Sequence, residues 1–177
     1  MKEAMQDTHA AWKALQKVMD PEIPVLSVVD IGIVRDIRWK EDGRLHVSVT
    51  PTYSGCPATE FIEGTIRDGL ESAGFVDPLI ERILAPAWTS EWISEQGREQ
   101  LRLFGIAPPI RHATPSESPL VRWKKGEAIP PAGAHAIPCP RCGSVDTEKV
   151  SEFGSTACKA LYRCTDCLEP FDYFKCI

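Results

Sequence analysis

The chain has 177 residues, 43% of them hydrophobic and 25% charged, with a formal net charge of -5 and an isoelectric point near 5.4. That length holds one medium domain and a small one, and the acidic balance argues against a nucleic-acid binder working through bulk electrostatics, which needs a concentrated basic surface. Met1 to His9 lacks the apolar stretch of a secretion signal, and no run approaches the roughly 20 apolar residues of a membrane span, so a cytoplasmic protein without membrane contact is expected.

Thr8 to Met19 reads as a helix with Trp12, Leu15 and Val18 or Met19 on one stripe, ended by Pro21. A loop follows over Asp20 to Ser27. Val28 to Trp39 has strand composition, interrupted by Asp30 and Gly32, and Glu41-Asp42-Gly43 is a hairpin turn signal. Leu45, Val47 and Val49 alternate with His46, Ser48 and Thr50, which predicts a half-buried strand. From Pro57 to Ala73 the spacing of Ala58, Ile62, Ile66 and Leu70, with Phe61 beside them, predicts an amphipathic helix stopped by Gly74. Phe75 to Leu84 reads as a third strand, with Pro78 marking an edge or irregularity. Thr89 is placed to cap a last helix through about Phe104, with Glu91 in its first turn. The order helix, strand, strand, helix, strand, helix predicts an α+β fold, a small sandwich with one mainly antiparallel or mixed sheet.

Seven of the fifteen prolines fall between residues 105 and 138. Proline removes the donor that ladders and helices need, so a linker running extended is expected, with Val121 and Trp123 as local anchors. The expected organisation is a first domain over residues 1–104, a Pro-rich linker over 105–137 and a small domain over 138–177.

That last segment holds six of the seven cysteines. Cys139-Pro140-Arg141-Cys142 and Cys164-Thr165-Asp166-Cys167 are two Cys-x-x-Cys turns twenty-one residues apart, with Gly143 as turn residue after the first. Such a turn points two thiolates at one ion, and a second pair completes the tetrahedral sulfur site that zinc prefers. Cys139, Cys142, Cys164 and Cys167 are therefore assigned to structural zinc in a zinc-ribbon-like domain; a disulfide pair or buried reduced thiols are the alternative. Forty residues bury too little apolar surface to fold alone, whereas structural zinc contributes roughly 10 kcal/mol or more. Cys158 and Cys176 are left over. Lys159 and Arg163 lie near Cys158 in sequence, so it reads as a redox thiol or a second labile metal site, or else as small apolar filler. Spacing also leaves open a site that uses Cys158, or an iron–sulfur cluster in place of zinc.

Cys56 stands apart, between Gly55 and Pro57, where Pro suits the first helical turn. A thiol at a helix N-terminus favours the thiolate, making Cys56 a nucleophile or soft-metal ligand unless it is simply packed. Asp20 and Glu22 flank Pro21 on another loop end, Asp30-Ile31-Gly32 offers a further carboxylate, and Thr50 adds a hydroxyl; these groups could converge at one edge of the sheet. Loop closure by Asp20 and a solvated Glu22 are the commoner fates of such residues.

Three strings carry a family resemblance: Asp20-Pro21-Glu22-Ile23-Pro24-Val25, Asp30-Ile31-Gly32-Ile33-Val34-Arg35, and Thr50-Pro51-Thr52-Tyr53-Ser54-Gly55-Cys56-Pro57. Over about residues 8 to 104 they resemble the metal-sulfur cluster assembly domain of SufT-type proteins and cytosolic iron–sulfur targeting factors. Pro86-Ala87-Trp88-Thr89 and the stretch from Phe153-Gly154-Ser155-Thr156-Ala157-Cys158 to Glu169-Pro170-Phe171 extend the match. They are similar to PaaD-type accessory proteins of the phenylacetyl-CoA 1,2-epoxidase system of aerobic phenylacetate degradation. The resemblance implies an accessory factor that helps the iron centres of the oxygenase or reductase subunits mature, without catalytic activity of its own. It implies Cys56 as the cluster-handling thiol, with Asp20, Glu22 and Thr50 as its polar surroundings and iron or an iron–sulfur cluster as transient cargo. Consistent with that, the sequence has no Glu-x-x-His pair for a di-iron site and no glycine-rich dinucleotide fingerprint after a strand. Two other functions stay open. One is a structural subunit or adaptor of the oxygenase acting by contacts alone. The other is a nucleic-acid-binding ribbon using Arg111, Arg122, Lys124 and Lys125, which the acidic balance disfavours.

Overall fold

The computed structural model describes residues 8–110 and 137–175. Its contacts divide into two units on either side of the Phe104–Gly105 bond.

In the first unit, α1 (His9–Leu15) buries Ala11 and Leu15 and ends earlier than the apolar stripe suggests. The chain then closes a loop on itself, with Asp20 N–H donating to the Leu26 carbonyl at 2.8 Å and Met19 bridging Ser27. Residues 28–33 do not form the expected strand. Ile31 and Gly32 donate back to the Ser27 and Val29 carbonyls, a run of tight turns. Gly32 holds φ +78°, and a Cβ there would stand 2.7 Å from both Cβ and O of Trp92, so only glycine fits.

The strand proper is β1 (Val34–Trp39), joined through the Gly43 turn to antiparallel β2 (Leu45–Val49); β3 (Leu79–Arg82) adds parallel to β2, giving the order β1-β2-β3. β2 is therefore central and every residue of it is buried, His46 and Ser48 included. That corrects the half-buried reading: neighbouring strands on both sides, bearing long side chains such as Arg38 and Glu81, cover the polar face as well. α2 (Thr59–Ser72) buries Ile62, Ile66 and Leu70, while Phe61 stays 65% exposed. Gly69 lets α2 close on Val18, since a Cβ there would lie 2.5 Å from Val18 Cγ2. Thr89 does not cap a long helix. It precedes a single 3-10 turn, Ser90–Trp92, and α3 (Glu95–Phe104) is capped by Ser94, whose Oγ accepts the Gly97 N–H at 2.9 Å.

The second unit is a four-stranded sheet in the order β4-β7-β6-β5, formed by β4 (Ile106–Ala107), β5 (Thr147–Ser151), β6 (Lys159–Cys164) and β7 (Pro170–Phe174). β5, β6 and β7 pair antiparallel, and β4 pairs parallel to β7. Ala107, Ile137, Cys139, Cys164 and Phe171 make its core, with Ile110, Tyr162 and Tyr173 packed against it. Both ends of the proline-rich span thus belong to this sheet and core. Val121, Trp123, Arg111, Arg122, Lys124, Lys125 and Cys176 lie outside the described residues.

Candidate metal centre and thiol site

Two backbone turns present the four ribbon thiols. In the first, Cys139 N–H donates to the Ser144 carbonyl at 2.8 Å and Gly143 N–H donates back to the Cys139 carbonyl at 2.9 Å, with Gly143 at φ +78°. In the second, Cys164 N–H donates to the Glu169 carbonyl at 3.0 Å and Cys167 N–H reaches Cys164 Sγ at 3.5 Å. The Ser144 hydroxyl donates to Asp166 Oδ2 at 2.5 Å, tying one turn to the other. The four Sγ atoms all lie within 4.8 Å of one another. Two close separations cross between turns, Cys139 to Cys167 at 3.7 Å and Cys142 to Cys164 at 3.6 Å.

A single tetrahedral ion with metal–sulfur bonds of about 2.3 Å sets its ligands about 3.8 Å apart, so the donor set and spacing suit one soft ion. A polynuclear cluster spreads its thiolates over several irons and would need them farther apart. Zinc, or a mononuclear iron, fits this cage; among the described residues it is the one such group of three or more possible ligands.

Crowding shifts three of these thiols in the absence of a metal. The Cys167 and Asp166 amides and the neighbouring thiols outweigh burial and bring Cys164 down to about 7. The Ser144 amide favours a Cys142 thiolate, but desolvation and the other three thiols prevail and push it up to about 12. Cys167 is also raised, since the Glu169 amide is outweighed by desolvation and by Cys164 and Cys139. Four like charges cannot share this space without a cation.

Cys158 is buried and its Sγ stands 3.0 Å from Thr156 Oγ1. It precedes β6, whereas Cys164 ends it, and six residues at ~3.3 Å each separate the two by about 20 Å. A tetrad using Cys158 is excluded by that strand.

In the first unit, Cys56 is half-buried on the loop before α2. Its N–H donates to the Tyr53 carbonyl at 3.2 Å, and its carbonyl accepts both the N–H and the hydroxyl of Thr59, at 3.2 and 2.8 Å. The helix begins at Thr59, not Pro57, so Cys56 sits three residues ahead of it. Thr50 opens the same loop, buried, with its N–H on the Ile33 carbonyl at 2.8 Å. Together with Thr52, Tyr53 and Ser54, and with Leu84 and Trp88 opposite, it lines a pocket of about 230 Å³. Asp20 and Glu22 sit on a separate loop. Asp20 is buried, and its Oδ1 accepts the N–H groups of Glu22 and Ile23 at 2.8 and 2.9 Å. That is loop closure, the commoner role of such an aspartate.

Sequence reasoning offered Asp30 as a carboxylate that could converge with the other loop ends, but missed its role as a polar hub. This buried carboxylate accepts the Ser27 hydroxyl on Oδ2 and the Ser94 hydroxyl on Oδ1, both at 2.6 Å, while its carbonyl accepts Ser94 N–H at 2.9 Å. Trp88 Nε1 donates to the Ile31 carbonyl at 3.0 Å, and the Arg35 guanidinium lies 3.4 Å over the Trp92 ring. The Asp-Ile-Gly string is thereby the seat for residues 88–97. The Asp30 side chain and Ser94 are 64 positions apart, and no local pattern announces that contact.

Residues 8–74 match the family model described as iron-sulfur cluster assembly protein, and residues 125–175 match the PaaD zinc beta ribbon domain. The chain is 46% identical over 174 residues to an Escherichia coli protein described as one of the subunits of a "Putative 1,2-phenylacetyl-CoA epoxidase", covering 98% of this chain and 96% of that one. Over its first part it is 33% identical to an Fe-S protein maturation auxiliary factor of Porphyromonas gingivalis and 31% identical to the Fe-S protein maturation auxiliary factor YitW of Bacillus subtilis. Those matches cover 56% and 55% of this chain and 94% of each relative. Among the described residues no helix is long and apolar enough to cross a membrane. With both parts matched in order and the similarity running nearly end to end, the chain belongs to the PaaD family of phenylacetyl-CoA epoxidase components.

Proposed function

We propose that this protein is a maturation factor of the phenylacetyl-CoA epoxidase system, aiding assembly of an iron or iron–sulfur centre in the oxygenase or the reductase. The observation that carries this reading is the union in one chain of near full-length likeness to the Escherichia coli epoxidase component and likeness over residues 8–74 to iron–sulfur assembly proteins. The four ribbon cysteines hold zinc and keep the small unit folded. Cys56 handles the cargo. It is half-buried, and it stands outside the one group of possible metal ligands found among the described residues. A thiol without fixed companion ligands suits brief capture and release more than storage. Thr50, on the same loop, lines the pocket there.

The test is reconstitution of the epoxidase with wild type or Cys56→Ala protein, reading iron occupancy of the oxygenase and turnover. The variant is expected to fold normally and to lower both. Full occupancy and full activity with Cys56→Ala would overturn the transfer role. A second reading, an adaptor acting by protein contacts alone, is favoured by the commitment of Asp20 Oδ1 to its own loop. Co-purification with the oxygenase or the reductase in fixed stoichiometry, indifferent to Cys56→Ala, selects it.

A further inference from the structure

The four ribbon thiols are not equivalent. Cys139 and Cys164 are buried, at 2% and 0% exposure, and belong to the hydrophobic core with Ala107, Ile137 and Phe171. Their backbones are pinned as well, by Cys139 N–H on the Ser144 carbonyl and by the place of Cys164 at the end of β6, opposite Thr147. Cys142 and Cys167 are exposed. Each turn therefore contributes one anchored sulfur and one open sulfur. The two open ones complete the close pairs that cross between turns, Cys167 with Cys139 and Cys142 with Cys164.

An incoming ligand must reach the ion from solvent, and a departing ligand must swing away without dragging the core along. Cys139 and Cys164 fail both conditions, because freeing either sulfur pulls apart packed apolar contacts. Cys142 and Cys167 meet both.

We propose that the ribbon site is exchangeable through one edge, with Cys142 and Cys167 as the thiolates that yield to an incoming soft ligand and Cys139 and Cys164 as the pair that stays. This rests on the reading that the tetrad holds a single ion. The exchange is a substitution without redox change: an incoming thiol donates a sulfur lone pair as a thiolate, Cys142 or Cys167 lets go, and the freed thiolate takes up the proton the incoming thiol sheds. The ligand class is a thiol, whether a small one or a cysteine of a client protein. On this view the ribbon can exchange its ion with a thiol partner while remaining folded.

The full chain loaded with one equivalent of zinc provides the test. Zinc release driven by added glutathione is followed with the chromogenic chelator zincon at fixed concentration, and cysteine labelling by N-ethylmaleimide, in separate samples without glutathione, is mapped by peptide mass spectrometry. Release is expected to be associative, so that doubling glutathione doubles the rate, and label is expected to reach Cys142 and Cys167 well before Cys139 and Cys164. Cys167→Ser should keep zinc but release it severalfold faster, whereas Cys139→Ser should lose it. Release independent of glutathione, together with all four thiols labelling at once, would mean that zinc leaves only when the ribbon unfolds, and it overturns the proposal while leaving the zinc site intact. Failure of the tetrad to take up zinc, with Cys139→Ser behaving as wild type, overturns the single-ion reading and the proposal with it. The labelling order is read on the unmutated chain, so a variant that fails to fold does not spoil the test.

Discussion

Replacing Asp30 by Ala removes the one carboxylate that ties the turn at residues 27–33 to the start of α3. Two short hydroxyl bonds are lost at once, from Ser27 and Ser94, each at 2.6 Å to a carboxylate only 6% exposed. Hydrogen bonds to charged groups are worth about 1.5–3 kcal/mol apiece, so the pair comes to about 3–6 kcal/mol. Ser94 also caps α3 through the Gly97 N–H, and losing its own acceptor frees it to rotate out of that position. Against the roughly 5–15 kcal/mol that a domain commands, the change brings the first unit close to unfolding. Asp30→Asn keeps the shape and one accepting oxygen, so about half the loss is expected. The assay is urea denaturation of the full chain followed by tryptophan fluorescence, with Trp88 and Trp92 close to the hub as reporters. A loss below about 1 kcal/mol for Asp30→Ala, or equal damage from Asn, would refute the hub. A variant of undiminished stability that still fails in epoxidase reconstitution would move Asp30 from the framework into the site.

Zinc affinity should fall on acidification. Cys142 and Cys167 are raised and stay protonated near neutrality, while Cys164, lowered to about 7, is ionised above that pH and protonated below it. Binding then displaces two protons from these three thiols at about pH 8 and three at about pH 6, and a competition titration giving a flat profile would contradict these shifts. Cys158→Ala should leave zinc stoichiometry at wild-type level by metal analysis and cost only about 1 kcal/mol in denaturation, its partner being the neighbouring Thr156 hydroxyl. In the full chain, replacing Ile106 by Ala and Ala107 by Gly should weaken zinc binding about a hundredfold. Trimming buried Ile106 and Ala107 forfeits about 3 kcal/mol, at about 1.4 kcal/mol per tenfold, and wild-type affinity by competition would show their packing to be dispensable.

Element order and type were legible because helix and strand periods are local. Ile62, Ile66 and Leu70 share a face whatever the rest of the chain does, and all three are buried. The four ribbon cysteines were legible for a chemical reason: few uses other than an ion bring paired thiols to such spacing. What failed depended on distant neighbours. His46 and Ser48 look like the wet side of a strand until β1 and β3 are both placed beside them. Residues 28–33 have strand composition but serve as the seat for Trp88 and Trp92, so turns win over β-propensity there. Thr89 and Ser94 are equally good caps by residue type; only the carboxylate of Asp30, far off in sequence, selects Ser94. The amides of Glu22 and Ile23 that engage Asp20 Oδ1 are local partners, of the kind an Asp-Pro turn announces.

The chain passes from α3 into the ribbon sheet within one residue. Ile106 and Ala107 pair with Asp172 and Tyr173 in the ribbon sheet, one residue after α3 ends. Gly105, at φ +89°, makes that turn alone. The covalent joint between the two units is thus the Phe104–Gly105–Ile106 segment, and the ribbon core draws on chain from both sides of its cysteine turns: Ala107, Ile137 and Phe171 lie in it and Ile110 packs against it, so apolar residues well before Cys139 in sequence help to hold the metal-binding unit together.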